Sequence, residues 1–193
     1  MIARLWRGRV PAALADEYRA YQEEVGPPGY RPIAGVRRIY MLGREVDEFY
    51  EIAMLTFWDS LAAVRAFAGD PVDRARYYDR DFDFLVNPPE HVEHFDVLAT
   101  ADLVDRPNAP ERVVRLHRTR TSCADGRHAT IRYDAPAFTT VSNRGAYLLG
   151  RDAGSGYEVA TVELWDSVNA AGPLPATAEA FDVLVREVIA APE

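Results

Sequence analysis

The chain has 193 residues and a mass of 21.6 kDa, enough for one large domain or two small ones. Apolar residues make up 48% of it and charged residues 27%, a balance typical of globular proteins that excludes wholesale disorder. With 22 basic and 30 acidic residues the formal net charge is −8. Because such a chain repels phosphate groups, we expect neither nucleic acid nor a membrane as partner. A single cysteine, Cys123, allows no disulfide within the chain, which favours a cytoplasmic location.

The first half of the chain alternates between strand-like and helix-like segments. A first helix begins at Pro11 and ends at Gly26-Pro27, and Asp59 or Ser60 caps a second helix that stops at Gly69. A third helix is predicted over residues 74–86, before Asn87-Pro88-Pro89. Strands are predicted over residues 2–10, 36–43, 49–58 and 91–98, the middle two joined as a hairpin by the polar turn 44–48.

The second half repeats the first. Residues 40–60 align with residues 147–167 without a gap, and ten of those 21 positions are identical. The first strands align at a slightly different offset, residues 4–9 with residues 115–120. The alternative is chance similarity, but the ungapped match through Trp-Asp-Ser favours a tandem duplication. We therefore predict half one over residues 1–98, a linker over 99–111 and half two over 112–193.

Half two departs from half one near its end. Its second helix is interrupted by Gly172-Pro173-Leu174-Pro175, and Phe181, Leu184, Val185 and Val188 then follow at helical spacing. Since the sequence stops soon afterwards, we expect half two to lack its last strand. The edge left open would need cover from the linker, from the last strand of half one or from another chain.

The order β-α-β-β-α-β is that of the ferredoxin-like unit. One such sheet carries helices on a single face, so its other face needs a partner. The sequence therefore predicts an α+β protein of two ferredoxin-like units, packed sheet to sheet as an intramolecular dimeric α/β barrel.

Several short motifs resemble one protein family. These are Arg4-Leu5-Trp6-Arg7-Gly8, Trp58-Asp59-Ser60 with the following Ala63–Gly69 stretch, Val92-Glu93-His94-Phe95-Asp96-Val97 and, in half two, Asn143-Arg144-Gly145-Ala146-Tyr147. They resemble the antibiotic-biosynthesis-monooxygenase-like group of the dimeric α/β-barrel superfamily. This resemblance identifies a fold and not a reaction, because the superfamily includes monooxygenases, haem degraders, isomerases, cyclases and proteins without known activity.

The resemblance implies a specific chemistry. Members of the group oxidise aromatic polyketide phenols with O₂ and use no cofactor, because a phenol anion is electron-rich enough to reduce O₂ itself. In that subfamily the tryptophan that ends the third strand has an asparagine four residues before it and a tyrosine six residues after. Trp58 and Trp165 occupy the tryptophan position. In half one Met54 replaces the asparagine and Val64 the tyrosine, and in half two Thr161 and Ala171 take the same two places. The haem-degrading members of the superfamily need an asparagine, a tryptophan and a histidine on the first strand and second helix. The nearest positions here are Trp6, Phe67 and Tyr77, so we do not expect haem degradation.

Alternation along the strands selects candidate site residues. The side chains that would line the cleft of half one are bulky, so we expect that cleft to be filled by them. Those of half two are polar, so we expect a polar pocket there. As catalytic candidates we take His94, His117, Glu163, Arg4 and Arg115, with His117 and Glu163 as a proposed acid–base pair. As substrate-binding candidates we take Trp6, Met54, Trp58, Tyr78, Thr161 and Trp165. Most of these have a structural alternative: core anchors for the tryptophans, a satisfied core histidine for His94, core packing for Tyr78, a solvated cross-strand pair for His117 and Glu163, and ion pairs of Arg4 and Arg115 with Glu51 and Glu158.

Three functions stay open on the sequence. The first is a cofactor-independent monooxygenase that acts on a small aromatic or polyketide-like molecule. The second is a cyclase or isomerase that works by proton transfer in the same pocket. The third is a binding or assembly protein whose clefts are closed by their own side chains. We expect no metal, and either a monomer, as a pseudo-dimer, or a homodimer.

Overall fold

The computed structural model describes residues 1–101, 112–121, 143–154, 156–174, 176 and 178–189. The chain forms two compact units: unit 1 contains Met1–His94 and Val183–Glu193, and unit 2 contains Phe95–Asp182. The strands are β1 (Ile2–Pro11), β2 (Val36–Val46), β3 (Phe49–Trp58), β4 (Glu93–Ala101), β5 (Val113–Thr121), β6 (Asn143–Asp152), β7 (Tyr157–Trp165) and β8 (Ala178–Val188). The helices are a 3₁₀ turn (Ala12–Leu14), α1 (Ala15–Tyr30), α2 (Leu61–Ala68), α3 (Asp81–Phe84) and α4 (Val168–Ala171). The predicted α+β class is confirmed.

Unit 1 is built on a sheet with β3 at its centre. Strand β3 pairs antiparallel with β1 on one side and β2 on the other, and the second part of β8 follows β2 in the strand order. The register places Arg4 opposite Thr56 and Trp6 opposite Met54. Since directly opposed residues share a face, these four side chains lie on one side of the sheet, beside α1 and α2.

Helix α1 is longer than predicted, because it runs through Pro27 and Pro28 to Tyr30. A proline inside a helix leaves the carbonyl four residues earlier without its donor. Here those carbonyls belong to the exposed residues Glu23 and Glu24, where water can solvate them. Tyr30 at the end of the helix is buried against Trp58 and Phe67, and this packing offsets the cost of the prolines.

The predicted third helix over 74–86 is wrong except for the single turn of α3. Its backbone finds other partners: the N–H of Ala75 donates to the carbonyl of Glu90 at 2.8 Å, and Arg74 forms an isolated bridge with His91. The side chain of Asp81 also accepts from the N–H of Tyr78. These bonds replace helical ones, so the segment is an ordered coil.

Unit 2 contains a second sheet with β7 at its centre. Strand β7 pairs antiparallel with β5 and β6. Within the same unit β4 pairs with β6 through residues 96–101, and β8 pairs with β5 through residues 178–182. The first helix expected in half two falls on residues 122–142, which lie outside the described residues.

The prediction that half two lacks its last strand is wrong. Residues 178–188 form β8 and not a helix, and β8 pairs with β5 at the edge that was expected to stay open. In so short a segment the spacing of the apolar residues fits both the helical period of about 3.6 residues and the strand period of about 2. Its β-branched valines favour a strand, and pairing with β5 decides between the two.

The aligned residues of the repeat make the same contacts in both units. In unit 1 the buried carboxylate of Glu51 bridges Arg7 at 2.5 Å and Arg44 at 2.7 Å. In unit 2 the equivalent residues are Glu158, Arg118 and Arg151. Likewise Ser60 and Ser167 each accept a hydrogen bond at the N-terminus of the following helix. No helix in the described ranges is both long enough and apolar enough to cross a membrane.

Candidate functional site

Arg4 lies at the base of the cleft between the unit 1 sheet and its helices. Its side chain is 1% exposed and packs over the ring of Phe67 at 5.2 Å. One guanidinium nitrogen donates to the carbonyl of Arg74 at 3.4 Å, and the Arg4 side chain also hydrogen-bonds Tyr30. Burial lowers the pKa of Arg4. The ion pair with Glu51 that the sequence allowed is not formed, because Arg7 and Arg44 hold that carboxylate.

A small cavity of about 20 Å³ lies beside Arg4. Its apolar walls are Trp6 and Met54, and its polar groups come from α1 and from the coil before α3. Its full lining is Arg4, Trp6, Gln22, Gly26, Tyr30, Met54, Arg76, Tyr78 and Asp81. Space of this size holds about one water molecule.

One buried donor of a residue that lines this cavity has no partner in the described structure, Nε of Arg4, whereas the side chain of Trp6 hydrogen-bonds Tyr77. Leaving a buried N–H unbonded costs free energy on the order of 1–3 kcal/mol. Nε of Arg4 is therefore suited to an acceptor supplied from outside the chain.

Asp81 forms the opposite wall of the cavity. Its carboxylate accepts from Gln22 Nε2 at 2.6 Å, from the Tyr18 hydroxyl at 3.1 Å and from the backbone N–H of Tyr78 at 2.6 Å. Burial raises the pKa of Asp81, and these three bonds oppose the rise. The cavity is thus bordered by one buried cation and one buried carboxyl group.

His94, on the first part of β4, lies near Arg4. Burial first and the charge of Arg4 second lower the pKa of His94 to about 4, although Asp73 opposes them. The imidazole is therefore neutral at pH 7. Its Nε2 atom is buried and bonds nothing in the described structure. A neutral imidazole has a lone pair that can accept a proton, and the neighbouring cation makes it a weaker base.

Of the other candidates in half one, Tyr78 lies at the cavity and Trp58 lies in the core. Tyr78 lines the cavity, and its hydroxyl donates to the carbonyl of Gly26 at 3.3 Å. Trp58 does not line it: the indole is fully buried against Tyr30 and Phe67, and its Nε1 donates to Thr56 at 2.8 Å. Trp58 is therefore a core anchor, the structural alternative that its sequence position allowed.

In unit 2, Arg115 closes the end of α4. Its guanidinium donates to the carbonyls of Ala171, at 2.6 Å, and Gly172, and lies 5.8 Å from the ring of Trp165. Trp165 packs with Val113 and Ala171 in a small core cluster. Arg115 thus neutralises the carbonyl end of a helix, a role different from that of Arg4.

His117 and Glu163 lie on the same face of the unit 2 sheet. Glu163 is directly opposite Arg115, and His117 is opposite the buried Thr161. The proposed acid–base pair is therefore a diagonal pair, whose Cβ atoms are typically about 7–8 Å apart. Glu163 accepts from the indole N–H of Trp165 at 3.2 Å.

The sequence did not point to Gln22, Tyr30 or Asp81. Tyr18 and Gln22 are four residues apart, so they share a face of α1, and that polar spacing was the available signal. Nothing local indicates that Asp81, in a charged stretch 59 residues later, completes the cluster.

Comparisons with known proteins agree on the fold. No family model matches the sequence, and no curated protein matches it. A candidate monooxygenase from Fusobacterium nucleatum subsp. nucleatum superposes with a TM-score of 0.69 at 13% identity, over 97% of this chain and 94% of that one.

Two further solved structures superpose over nearly the whole chain. An anthrone oxidase-like protein gives a TM-score of 0.62 at 12% identity, over 97% of this chain and 92% of that one. A candidate monooxygenase from Lactobacillus acidophilus gives a TM-score of 0.57 at 13% identity, over 96% of this chain and 93% of that one. Likeness at these identities shows the fold, and the chain therefore has the ferredoxin-like, dimeric α/β-barrel fold of the antibiotic-biosynthesis-monooxygenase-like proteins that its motifs resemble.

Proposed function

We propose that this protein is a monooxygenase that oxidises a small aromatic or polyketide-like phenol with O₂, without a cofactor, in the cleft of unit 1. The observation that carries the proposal is the neutral imidazole of His94 held beside the buried cation of Arg4. A base and a positive charge are what the oxidation of a phenol requires from a protein. The names of the structural neighbours support the same chemistry.

Each group has a role in the reaction. His94 takes the proton of the phenol, and Arg4 stabilises the resulting anion. A positive charge lowers the pKa of a nearby phenol as well as that of a nearby imidazole, so Arg4 stabilises the phenolate but does not by itself favour proton transfer to His94. The unpartnered Nε–H group of Arg4 supplies a hydrogen bond to the phenolate oxygen. Trp6, Met54 and Tyr78 form the walls.

The electrons come from the substrate. When the ring CH₂ of an anthrone-like phenol becomes C=O, the carbon loses four electrons and O₂ gains four. One oxygen atom stays on the carbon and the other leaves as water with the two hydrogens. The overall change, CH₂ + O₂ → C=O + H₂O, therefore needs no external reductant.

A second candidate function is a binding protein without catalysis. The observation that favours it is the volume of the cavity, about 20 Å³, which is too small for an aromatic ring. Oxidation requires the cleft to open. Arg76 and Tyr78 are the lining residues with exposed surface, so we place the opening at these two side chains.

Oxygen uptake tests the proposal. Full-length protein is incubated with a panel of anthrone-like phenols while O₂ and product are measured together. We expect one O₂ consumed for each quinone formed, and H94Q to lower kcat/KM by about 100-fold, as loss of a general base does. R4K keeps the charge and is expected to lose less activity than H94Q.

The matched control is R65Q, because Arg65 is an exposed arginine paired with Asp70. R65Q is expected to retain wild-type activity. Product formed without oxygen consumption would instead indicate a cyclase or isomerase. Ligand binding without any turnover would indicate the binding protein.

A further inference from the structure

A second, larger depression lies on the surface of unit 1. We call it the proline groove, a space of about 620 Å³ whose walls include Arg74, Tyr77, Phe82, Pro88, Pro89 and His91. Its volume falls in the range of ligand pockets, roughly 300–1,000 Å³. Two of these residues also contact the cleft of Arg4 and His94: the carbonyl of Arg74 accepts from Arg4, and the ring of Tyr77 packs edge-on against Trp6.

The apolar wall of the groove is aromatic and exposed. Phe82 is 63% exposed, an unfavourable position for a phenyl ring that packs against nothing else on its outer face. The rings of Tyr77 and Phe82 have centroids 5.0 Å apart at a tilt of 50°. Two tilted rings beside two prolines form a wedge that accepts a flat aromatic ring.

The groove is held open by its own hydrogen bonds. The hydroxyl of Tyr77 donates to the carbonyl of Pro89, which ties one wall to the opposite loop. The N–H of Val92 donates to the carbonyl of Asp73 at 2.7 Å, and Arg74 bridges His91. A site fixed in this way needs little ordering when a ligand binds.

The polar side of the groove suits an acidic group. Nδ1 of His91 lies 3.1 Å from a carboxylate oxygen of Asp73, which fixes the orientation of the ring and leaves Nε2 for the acidic group of a ligand.

Arg74, opposite His91, supplies a planar cation. In the described part of the chain its guanidinium pairs with no carboxylate. An arginine with its fork available binds a carboxylate or another oxyanion with two hydrogen bonds. Glu90 also borders the groove and would repel a second negative charge on the ligand, so one acidic group is the better fit.

We propose that the proline groove binds a flat aromatic acid, with the ring on Tyr77 and Phe82 and the acidic oxygen between Arg74 and His91. The ligand class is an aromatic ring that carries one carboxylic acid or one acidic phenol. This site is separate from the proposed oxidation, and its occupancy is measured without O₂.

Isothermal titration calorimetry on the full-length protein tests the proposal with four probes: 2-naphthoate, 2-naphthol, 2-naphthylmethanol and 2-naphthylmethylamine. We expect 2-naphthoate to bind with a stoichiometry of one. R74Q, H91Q and F82A are each expected to weaken it by about fivefold to twentyfold, the loss typical of one charged hydrogen bond or one ring contact at a partly exposed site. R74K should lose less than R74Q.

Matched controls separate the site from general effects. R65Q removes another exposed arginine and L61A another exposed apolar side chain, and both are expected to bind 2-naphthoate as the wild type does. If the protein binds 2-naphthol and H91Q abolishes that binding, the site is also supported, and the acidic group of its ligand is a phenol. Equal binding of the alcohol, tighter binding of the amine, no binding, or R74Q and H91Q without effect would each overturn the proposal.

Discussion

At the residue scale, one buried carboxyl group organises the cleft of unit 1. Asp81 accepts from two side chains of α1 and from one backbone N–H, so the desolvation cost of the carboxylate is offset by three donors. These bonds attach the coil around Tyr78 to α1. The backbone of this cavity wall therefore has a fixed position although its segment has almost no regular secondary structure, and opening of the cleft is left to the side chains.

His94 makes stability depend on pH in a direction that can be calculated. Its folded pKa is about 4, and its unfolded pKa is about 6.5. Between these values the unfolded chain binds a proton that the folded chain does not, so the free energy of unfolding falls as pH falls from 6.5 to 4. Allowing for partial exposure, we expect a loss of about 2 kcal/mol, measured by urea unfolding from pH 7 to pH 4.

H94Q provides the comparison for this prediction. The variant keeps every other titrating group, including Asp81, whose raised pKa acts in the opposite direction. The difference between the two unfolding curves therefore isolates the imidazole. The stability advantage of the wild type should shrink steadily below pH 6.5, and a difference that stays constant down to pH 4 would contradict the pKa assigned to His94.

Some site positions follow from the sequence because strand geometry is local. Arg4 and Trp6 alternate on β1, so pairing with β3 was enough to place them beside Thr56 and Met54. Gln22, Tyr30 and Asp81 reach the same cavity from a helix and a coil. Their approach depends on tertiary packing, which a period of 2 or 3.6 residues does not encode.

At the element scale, the predicted strands of half one agree closely with the structure, and the errors fall where periodicity is ambiguous. Strand β3 has the predicted bounds, since nearly all its residues are buried and the flanking turn is polar. Residues 178–188 fit a helix by the spacing of four apolar residues, yet they form β8. For such short segments the partner strand decides the conformation.

The hairpin of each unit contains a glycine that packs under a tyrosine. A Cβ at Gly43 would contact the hydroxyl of Tyr50 and come within 2.8 Å of its Cζ, and a Cβ at Gly150 would meet Tyr157 in the same way. We therefore expect G43A and G150A each to lower the free energy of unfolding by about 1–3 kcal/mol, measured by urea denaturation.

A double-mutant cycle identifies the cause of this loss. Y50F removes the oxygen that lies nearest the new Cβ, so G43A/Y50F should recover part of the stability lost in G43A, and G150A/Y157F should do the same in unit 2. Strictly additive effects of the two changes would show that the glycine is required for a reason other than the tyrosine contact.

At the scale of the whole molecule, the compact units do not coincide with the segments of the sequence repeat. Half one, predicted over 1–98, ends in β4, but unit 1 stops at His94 and Phe95–Ala101 belongs to unit 2. Half two ends in β8, and Val183–Val188 of that strand belongs to unit 1. Each repeat thus gives part of its last strand to the unit formed mainly by the other.

Unit 1 depends on the segment that it receives. Leu184, Val185 and Ile189 pack against its core, Glu187 pairs with Arg31, and the N–H of Ile189 donates to the carbonyl of Arg37 at 2.9 Å. Unit 2 receives the buried ring of Phe95 and the pairing of β4 with β6 in return. Loss of either segment would expose apolar surface and a strand edge.

This exchange predicts that neither repeat folds alone. Residues 1–101 and residues 112–193, expressed separately, should each lack a cooperative thermal transition, because each lacks a strand segment of its unit. Expressed together they should copurify at a ratio of one to one and melt in a single transition. The control is the full chain carrying a protease site between residues 102 and 111, which should stay associated on gel filtration after cleavage. A cooperative, monomeric 1–101 fragment would show that unit 1 is complete without Val183–Val188.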